Sequence, residues 1–385
     1  MVNINKLCSL VPLEDRLVLV CDMSISDQGE INDFGFCEGV IQSKARLTYS
    51  QVKEIIDGHR KLKINPNIQT NLHKLYELYK ILLISRSRRG AIDFDTLETQ
   101  IIFDDLKKIQ NIVPAERNEA HKLIEECMLC ANISAARLLE TAVMPALYRV
   151  HERPGAEKLA NLRIFLGELG LDLKGGQQPS PVDYQRILDQ ARDREDFSVI
   201  QTMLLRSLKQ AVYQSENKGH FGLHYPTYTH FTSPIRRYPD LLVHRAIRAI
   251  LRGQEITETE KPSLSIESSR VAENIYPYDV QSLIMLGEHC SMTERRAEDA
   301  TREVQLWLKC EYLSSHVGDQ YAGVVSGVTN FGLFIEIGDL CVDGLLHVTS
   351  LPKDYYAYDP ARQRLSGQRS GRDFGLGDPL GVIVA

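Results

Sequence analysis

The amino-acid sequence comprises 385 residues, more than most single domains contain, which predicts one large domain and at least one smaller one. Hydrophobic residues make up 43% and charged residues 25% of the chain, as in folded proteins, and this composition excludes a long disordered region. The formal net charge of -6 excludes a uniformly basic nucleic-acid binder, although a local positive groove stays compatible with it.

Cysteine usage and apolar runs indicate the compartment. The chain has 8 cysteines, and its amino terminus shows no secretory segment, so we expect a cytoplasmic protein. No apolar run approaches the roughly 20 residues that a membrane-spanning helix needs. Cys127 and Cys130 have CxxC spacing inside a helical pattern, but no second pair completes a zinc site, so we interpret them as core residues.

The first part of the chain changes from an extended pattern to a helical one. Residues 16–26 are rich in β-formers, and a turn at residues 27–29 followed by a second extended run to Ser43 predicts a hairpin. Residues 48–87 have helical periodicity, and residues 118–143 predict a strongly amphipathic helix. The apolar stripe of that helix consists of Leu123, Cys127, Ala131, Leu138 and Ala142.

The second part of the chain ends in a β-rich region. A turn-forming stretch covers residues 175–181, helical patterns return in residues 198–213, and a long helix is predicted for residues 280–312. From Gly318 onward, short β-runs alternate with Gly, Asn and Asp, a pattern typical of a small barrel. The sequence therefore predicts an α+β protein, with a large mixed α/β domain followed by a small β-barrel.

The segment YTHFTSPIRRYPDLLVHR places two arginines, Arg236 and Arg237, between Pro234 and Pro239. Two prolines stiffen this loop, and adjacent guanidinium groups offer planar, permanently charged donors that suit a phosphate. Asp240 is a plausible helix N-cap that would anchor the loop. The segment therefore indicates a phosphate clamp, and a surface ion-pair patch is the alternative.

Glu294 is a carboxylate on an otherwise apolar helical stripe. The other members of this stripe are Cys290, Ala297, Thr301, Val304 and Leu308. A carboxylate that faces a protein interior needs a partner, because burial of an unpaired charge is costly. Arg236 is the candidate partner, and the alternative is a purely structural ion pair.

Five further residues have polar or aromatic side chains that suit an RNA site. His121, Glu125 and Asn132 form a polar line on the predicted amphipathic helix, and a solvated helix face would look the same. Tyr49 and Phe94 are aromatic residues that are able to stack on unpaired bases, and core packing is the alternative for both.

The arginine segment, extended to HFTSPIRRYPDLLVHRAI, resembles the signature of the catalytic domain of the ribonuclease II / ribonuclease R family, the RNB exoribonucleases. SKARLTYSQV, RGAIDF, HKLIEECMLCANISAAR and CSMTERRAEDATREVQLWL resemble the same family in the same order. The similarity covers nearly the whole chain and is closest to the ribonuclease R branch. It implies 3′-to-5′ hydrolysis of single-stranded RNA, processively, to nucleoside 5′-monophosphates.

The resemblance also implies roles for individual residues. Arg236 would contact the scissile phosphate, and Glu294 would lie in the active site. Glu125 would lie next to the nucleotide at the 3′ end, and Tyr49 and Phe94 would be base-stacking positions. Residues 1–315 would form the catalytic domain without its amino-terminal part.

Residues 316–385 would form an S1-type RNA-binding domain, a small barrel with the OB-fold that is truncated at its carboxy terminus. The motif NFGLFIEI…GLLHVTSL resembles that domain, and its RNA-facing positions would be Phe331, Phe334 and His347. Phe331 lies beside Gly332 at a strand entrance, which favours exposure, whereas Phe334 could also belong to the core.

Family members hold Mg²⁺ with a cluster of aspartates, and this cluster should precede the segment that matches residues 5–16. Asp104 and Asp105 lie in a different context and are better interpreted as a helix start or a solvated pair. We therefore expect no metal ligands in this chain and little or no nuclease activity of the chain alone.

The partners expected from these considerations are single-stranded RNA and, for catalysis, the missing amino-terminal half. We expect a monomer. The alternative function is that of a non-catalytic RNA-binding or regulatory fragment that keeps the RNA-binding surfaces without the chemistry.

Overall fold

The structure is a computed structural model that describes residues 8–58, 64–94, 99–115, 117–259, 276–340 and 342–385. The chain divides into two compact units, each assembled from three stretches. The first comprises Met1–Ala91, Arg117–Glu152 and Gln210–Thr293, and the second comprises Ile92–Glu116, Arg153–Lys209 and Glu294–Ala385. Within the described ranges, none of the helices combines the length and the apolar character that a membrane span requires.

The first unit begins with the predicted hairpin. Strands β1 (Asp15–Ile25) and β2 (Ile31–Gln42) pair antiparallel. The Ser26 hydroxyl accepts hydrogen bonds from the backbone N–H groups of Gln28 and Glu30 and so closes the turn. Gly29 has a φ of +75°, and a Cβ there would lie 2.6 Å from Cβ of Ser85, so glycine is required for two reasons.

Helices and one small ribbon complete this unit. The helices are α1 (Tyr49–Ile56), α2 (Pro66–Arg89), α3 (Glu119–Thr141), α7 (Tyr238–Thr259) and the beginning of α8 (Val280–Ser314), and the ribbon pairs β5 (Tyr148–Val150) with β6 (Val212–Gln214). Thr48 and Asn118 form capping boxes at the starts of α1 and α3. The helical periodicity of residues 48–87 is thus confirmed as two helices, and the predicted helix of residues 118–143 is confirmed as α3.

The core of the first unit lies where α3 and α7 pack together. Leu139 of α3 and Leu242 and Ile247 of α7 are all 0% exposed. Cys130 of α3 is buried as predicted, and burial raises the pKa of its thiol to about 12, so it stays protonated at neutral pH.

The second unit contains helices and two β-rich parts. Strands β3 (Thr99–Phe103) and β4 (Ile109–Pro114) form a hairpin, and the helices are α4 (Ala156–Glu168), α5 (Pro181–Ala191), α6 (Phe197–Ser207) and the remainder of α8. The interpretation of Asp104 as a helix start is wrong, because its carboxylate accepts hydrogen bonds from the backbone N–H groups of Leu106 and Lys108 in the turn of this hairpin. The helix predicted for residues 198–213 is also too long, because α6 ends at Ser207.

The predicted small barrel begins after α8. Strands β7 (Gln320–Thr329), β8 (Gly332–Ile337), β9 (Val342–His347) and β13 (Pro379–Ile383) form a sheet in the order β13-β7-β8-β9. Strands β10 (Tyr356–Asp359), β11 (Arg364–Gly367) and β12 (Asp373–Gly375) form a second sheet. Leu333, Ile335 and Leu365 are nearly inaccessible in the core between these strands. The predicted α+β class, with a barrel of OB-fold type at the end, is confirmed.

Candidate nucleic-acid interface

The two arginines of the proline-bounded loop have different environments. Arg236 is exposed, whereas Arg237 is half-buried and donates a hydrogen bond from Nη2 to Oδ1 of Asp240 at 2.8 Å. Asp240 is 0% exposed, and the same Oδ1 accepts a hydrogen bond of 2.7 Å from the backbone N–H of Ser233. Asp240 is not the helix N-cap that the sequence suggested, because α7 already begins at Tyr238.

Asp240 therefore neutralises Arg237 and fixes the loop through the same carboxylate oxygen. None of the ion pairs found between described residues involves Arg236. The backbone N–H groups of Arg236 and Arg237 both donate to the carbonyl of Ser233, so the loop forms a tight turn. The arrangement leaves Arg236 as the guanidinium that is available to an anionic ligand, on a backbone that is held in place.

The polar line predicted on α3 divides into three environments. His121 is half-buried, the side chain of Glu125 is 37% exposed, and Asn132 is 3% exposed. A solvated helix face is therefore the wrong interpretation for Asn132. Its amide bonds to the backbone of Phe231 and Thr232 at the start of the arginine loop.

Glu125 belongs to a small network of ion pairs. Its carboxylate contacts the guanidinium of Arg117 and lies 3.6 Å from Nη1 of Arg86. Arg86 also binds the neighbouring Glu126 at 2.9 Å, and burial raises the pKa of Glu126 while Arg86 opposes that rise. Two guanidinium groups thus hold Glu125 at the surface, where a nucleotide can reach it.

Tyr49 lies at the start of α1 with its ring stacked on the ring of His121. The ring centroids are 3.9 Å apart and the interplanar angle is 26°. His121 is itself fixed, because its Nδ1 lies 2.9 Å from Oδ1 of Asn118, the N-cap of α3. Tyr49 is still 44% exposed, so a base can stack on it while His121 supports the opposite side.

Sequence reasoning missed a group of aromatic and basic residues behind the arginine loop. Nδ1 of His230 forms a hydrogen bond of 2.8 Å with Oη of Tyr213. The guanidinium group of Arg149 lies over the ring of the same tyrosine. Burial, aided by the charges of Arg237 and Arg149, lowers the pKa of His230 to about 2. Burial likewise lowers the pKa of His220 to about 3. The many His, Tyr and Arg residues between positions 213 and 237 are the sequence feature that could have indicated this group.

In the second unit, β8 presents Phe334 on the face opposite to the buried Leu333 and Ile335. Phe334 packs edge-to-face with Phe331 at 6.2 Å, and Phe331 is 44% exposed, as its place at the strand entrance predicted. The pairing register puts the exposed His347 opposite Gly332 on the neighbouring strand. The three predicted residues thus share one surface.

Sequence reasoning missed one apolar member of this surface. Leu345 lies opposite Phe334 in the register and is 51% exposed. The alternation along β9 was its signal, because Leu345 and His347 point to the same face of the strand.

The other two predicted site residues belong to the second unit as well. Phe94 is half-buried, and Glu294 is half-buried near the middle of α8. The predicted apolar stripe is wrong beyond Cys290, because Ala297, Thr301 and Val304 are exposed. Since Arg236 belongs to the first unit, its pairing with Glu294 stays a prediction.

The acidic residues of this site bear on whether the chain could hold a metal ion. Within the part of the chain that the structure describes, no group of three or more His, Cys, Asp or Glu side chains is arranged to hold an ion. Mg²⁺ prefers carboxylate and other oxygen ligands with free lone pairs, whereas Glu125 and Asp240 are engaged by arginines. These residues do not fit a magnesium site.

Comparison with known proteins identifies the family. The profile of the RNB domain matches residues 2–253, which is more than half of the chain. The chain belongs to the RNB family. The profile of the S1 RNA binding domain matches residues 315–382.

The chain is 50% identical to the Ribonuclease R of Vibrio cholerae over 381 residues, which is 99% of the chain and 45% of that protein. It is 47% identical to the Ribonuclease R of Escherichia coli over 384 residues, which is 99% of the chain and 46% of that protein. The Mycoplasma genitalium RNase R in complex with ribose methylated single-stranded RNA matches with a TM-score of 0.89 at 28% identity, covering 98% of the chain and 57% of the other. The chain thus spans about half the length of the curated relatives it matches.

Proposed function

We propose that this chain is the carboxy-terminal part of a 3′-to-5′ exoribonuclease of the ribonuclease R type, which hydrolyses single-stranded RNA processively to nucleoside 5′-monophosphates. The observation that carries the proposal is the RNB match over residues 2–253 together with the S1 match over residues 315–382. The exposed Arg236 on its anchored turn supports it further, since such a group suits an RNA phosphate.

We propose the following roles for the site residues. Arg236 binds the scissile phosphate, aided by the fixed Arg237, and Glu294 is an active-site residue, as the family resemblance implies. Glu125 lies next to the 3′-terminal nucleotide, whose base stacks on Tyr49, and Phe94 stacks on another base. The S1-type domain, residues 316–385, offers RNA a second surface formed by Phe331, Phe334 and His347, and residues 1–315 form the catalytic domain.

Nucleases of the RNB family are generally dependent on divalent metals. We propose Mg²⁺ for this enzyme, with its ligands supplied by the part of the relatives that this chain does not span. Held by those ligands, Mg²⁺ would supply water activation and charge neutralisation to the hydrolysis. The residues of this chain bind and orient RNA, and the chain alone has little or no nuclease activity. We further propose a cytoplasmic, monomeric protein.

The test measures release of nucleoside 5′-monophosphates from single-stranded RNA in Mg²⁺. The purified chain is assayed alone and with the amino-terminal half of a ribonuclease R added in trans. We expect release only from the mixture, and loss of release with Arg236→Ala. The matched control is Arg192→Ala, which removes an exposed arginine at the C-cap of α5.

Three results discriminate the parts of this proposal. Robust release by the chain alone would refute the missing-ligand interpretation. RNA binding without release from any mixture would favour the alternative, a non-catalytic RNA-binding fragment. Equal activity of the Arg236→Ala and Arg192→Ala mixtures would remove Arg236 from the site.

A further inference from the structure

Asn132 uses both ends of its amide to hold the backbone that leads into the arginine loop. Its Oδ1 accepts hydrogen bonds from the backbone N–H of Phe231 at 2.9 Å and of Thr232 at 3.2 Å. Its Nδ2 donates to Oη of Tyr228 at 2.9 Å. Asn132 is 3% exposed, so water does not compete for these contacts.

The side-chain chemistry of asparagine suits this task. A carboxamide oxygen has two lone pairs and accepts from two N–H groups, while its NH₂ group donates elsewhere. An apolar residue in its place would leave two backbone donors without an acceptor in a buried site. Asn132 is thus a built-in acceptor for a loop that has no regular secondary structure to satisfy it.

The other end of the loop is fixed independently. The backbone N–H of Ser233 donates to Asp240, and the Ser233 carbonyl accepts from the N–H groups of Arg236 and Arg237. Asp240 therefore sets the shape of the turn, whereas Asn132 attaches the turn to α3. Only Asn132 links this backbone to the helix that carries Glu125 among these contacts.

The two residues of α3 are seven positions apart. Seven residues correspond to about two turns of an α-helix, so Glu125 and Asn132 lie on the same side of α3. Glu125 is held by Arg86 and Arg117, and Asn132 is held by the loop of Arg236. Helix α3 thus fixes the distance between the loop that carries the exposed Arg236 and the partly exposed carboxylate of Glu125.

We propose that Asn132 is a positioning residue that fixes the loop of Arg236 relative to Glu125, and so sets how the terminal phosphate and the 3′ nucleotide are held together. The proposal rests on the RNA-binding function proposed above for Arg236 and Glu125. Asn132 does not contact RNA in this proposal. It affects RNA binding only because it positions the loop that carries Arg236.

Replacement of Asn132 by alanine is expected to free the loop. Amide hydrogen exchange in a peptide covering residues 228–237 becomes faster, because the Phe231 and Thr232 N–H groups lose their acceptor. The affinity for single-stranded oligouridine falls about tenfold, as expected for loss of one charged contact. The slope of log K against log salt concentration decreases by roughly 0.7, which corresponds to one phosphate contact on a single strand.

A double-mutant cycle distinguishes positioning from general destabilisation. If Asn132 acts through Arg236, Asn132→Ala has no further effect on RNA affinity in an Arg236→Ala background. The control is Ser134→Ala, since Ser134 is equally buried on α3 but its hydroxyl donates to the Cys130 carbonyl of the same helix. We expect that control to change neither the exchange of residues 228–237 nor the salt slope.

Asn132→Asp provides a conservative variant if the alanine variant does not fold. Because burial disfavours the charged form, we expect this aspartate to be protonated at neutral pH. Its carbonyl oxygen then keeps the acceptor for both N–H groups, and its O–H donates to Oη of Tyr228 in place of the amide. We expect this variant to keep slow exchange in residues 228–237. Its affinity for RNA is expected to stay within about twofold of that of the original chain, a smaller change than the loss of one hydrogen bond causes. Loss of the Arg236-dependent affinity in this variant despite slow exchange would overturn the proposal.

The remaining outcomes separate this inference from the proposed function. Additive losses in the double mutant, or unchanged exchange in Asn132→Ala, overturn the positioning role. If Arg236→Ala itself leaves affinity and salt slope unchanged, the phosphate-binding role of Arg236 is wrong, and the positioning role is overturned with it even when exchange accelerates. The exchange data and the Arg236→Ala data thus identify which of the two ideas has failed.

Discussion

Acidification is expected to destabilise the first unit through the half-buried histidines near the arginine loop. Burial is the main cause that lowers the pKa of His230 to about 2 from an ordinary value of 6.5, and the charges of Arg237 and Arg149 add to it. His230 is therefore neutral in the folded protein at any pH near neutrality. We predict that His230→Asn makes the stability of this unit less sensitive to pH.

The sign and the size follow from proton linkage. The folded pKa lies below the unfolded one, so below pH 6.5 the unfolded chain binds a proton that the folded protein does not. The stabilising contribution of neutral His230 is present above the unfolded pKa and is lost as the pH falls towards the folded pKa. One pH unit below 6.5, the loss is about 1.4 kcal/mol in the free energy of unfolding.

The assay is urea unfolding followed by circular dichroism at about pH 7.5 and about pH 5.5. Wild type and His230→Asn are compared with His289→Asn, which replaces an exposed histidine in the same unit. We expect the loss between the two pH values to be about 1.4 kcal/mol smaller in His230→Asn than in the other two proteins. Equal losses in all three would refute the reasoning, because His230 would then titrate alike in the folded and unfolded states.

Three further predictions concern the loop and the barrel. Arg237→Ala leaves the buried Asp240 carboxylate without its cation and should lower the free energy of unfolding by about 3–5 kcal/mol, as urea titration would show. Gly332→Ala should destabilise the barrel by about 1–3 kcal/mol in thermal unfolding followed by circular dichroism, since its Cβ would lie 2.4 Å from the Leu346 carbonyl oxygen. Phe331→Ala should weaken binding of single-stranded RNA by about 1–3 kcal/mol in fluorescence anisotropy without changing the salt slope, because it removes a stacking surface and no charge.

Elements with strong local signals were predictable from the sequence. The hairpin of β1 and β2 has β-rich arms around a Gly29 turn, and α3 has an N-cap and helical periodicity over 23 residues. The short strands of the barrel alternate between more and less buried positions, as in β8, where buried and half-buried residues alternate from Leu333 to Ile337. In each case the residues that determine the structure lie close together in the chain.

Elements whose signals are ambiguous were missed. Asp104 closes a hairpin turn by accepting backbone N–H groups, and an aspartate at a helix start uses the same hydrogen-bonding chemistry. The exposed part of α8 is a different case. Its periodicity identified a face through Ala297 and Val304, but periodicity does not show whether another element covers that face.

Adjacent arginines show most clearly what a linear pattern leaves open. Arg236 and Arg237 have the same charge and the same flanking prolines, so a sequence assigns both to one phosphate clamp. The fold separates them because α7 begins at Tyr238 and brings the buried Asp240 within 2.8 Å of Arg237 alone. A charge that already has a buried counter-ion contributes little further attraction to a ligand, whereas its exposed neighbour keeps its full potential. Arg237 therefore stabilises the loop, while Arg236 stays exposed to a ligand. This difference depends on the contact between Arg237 and Asp240, which lies three residues further along the chain in α7.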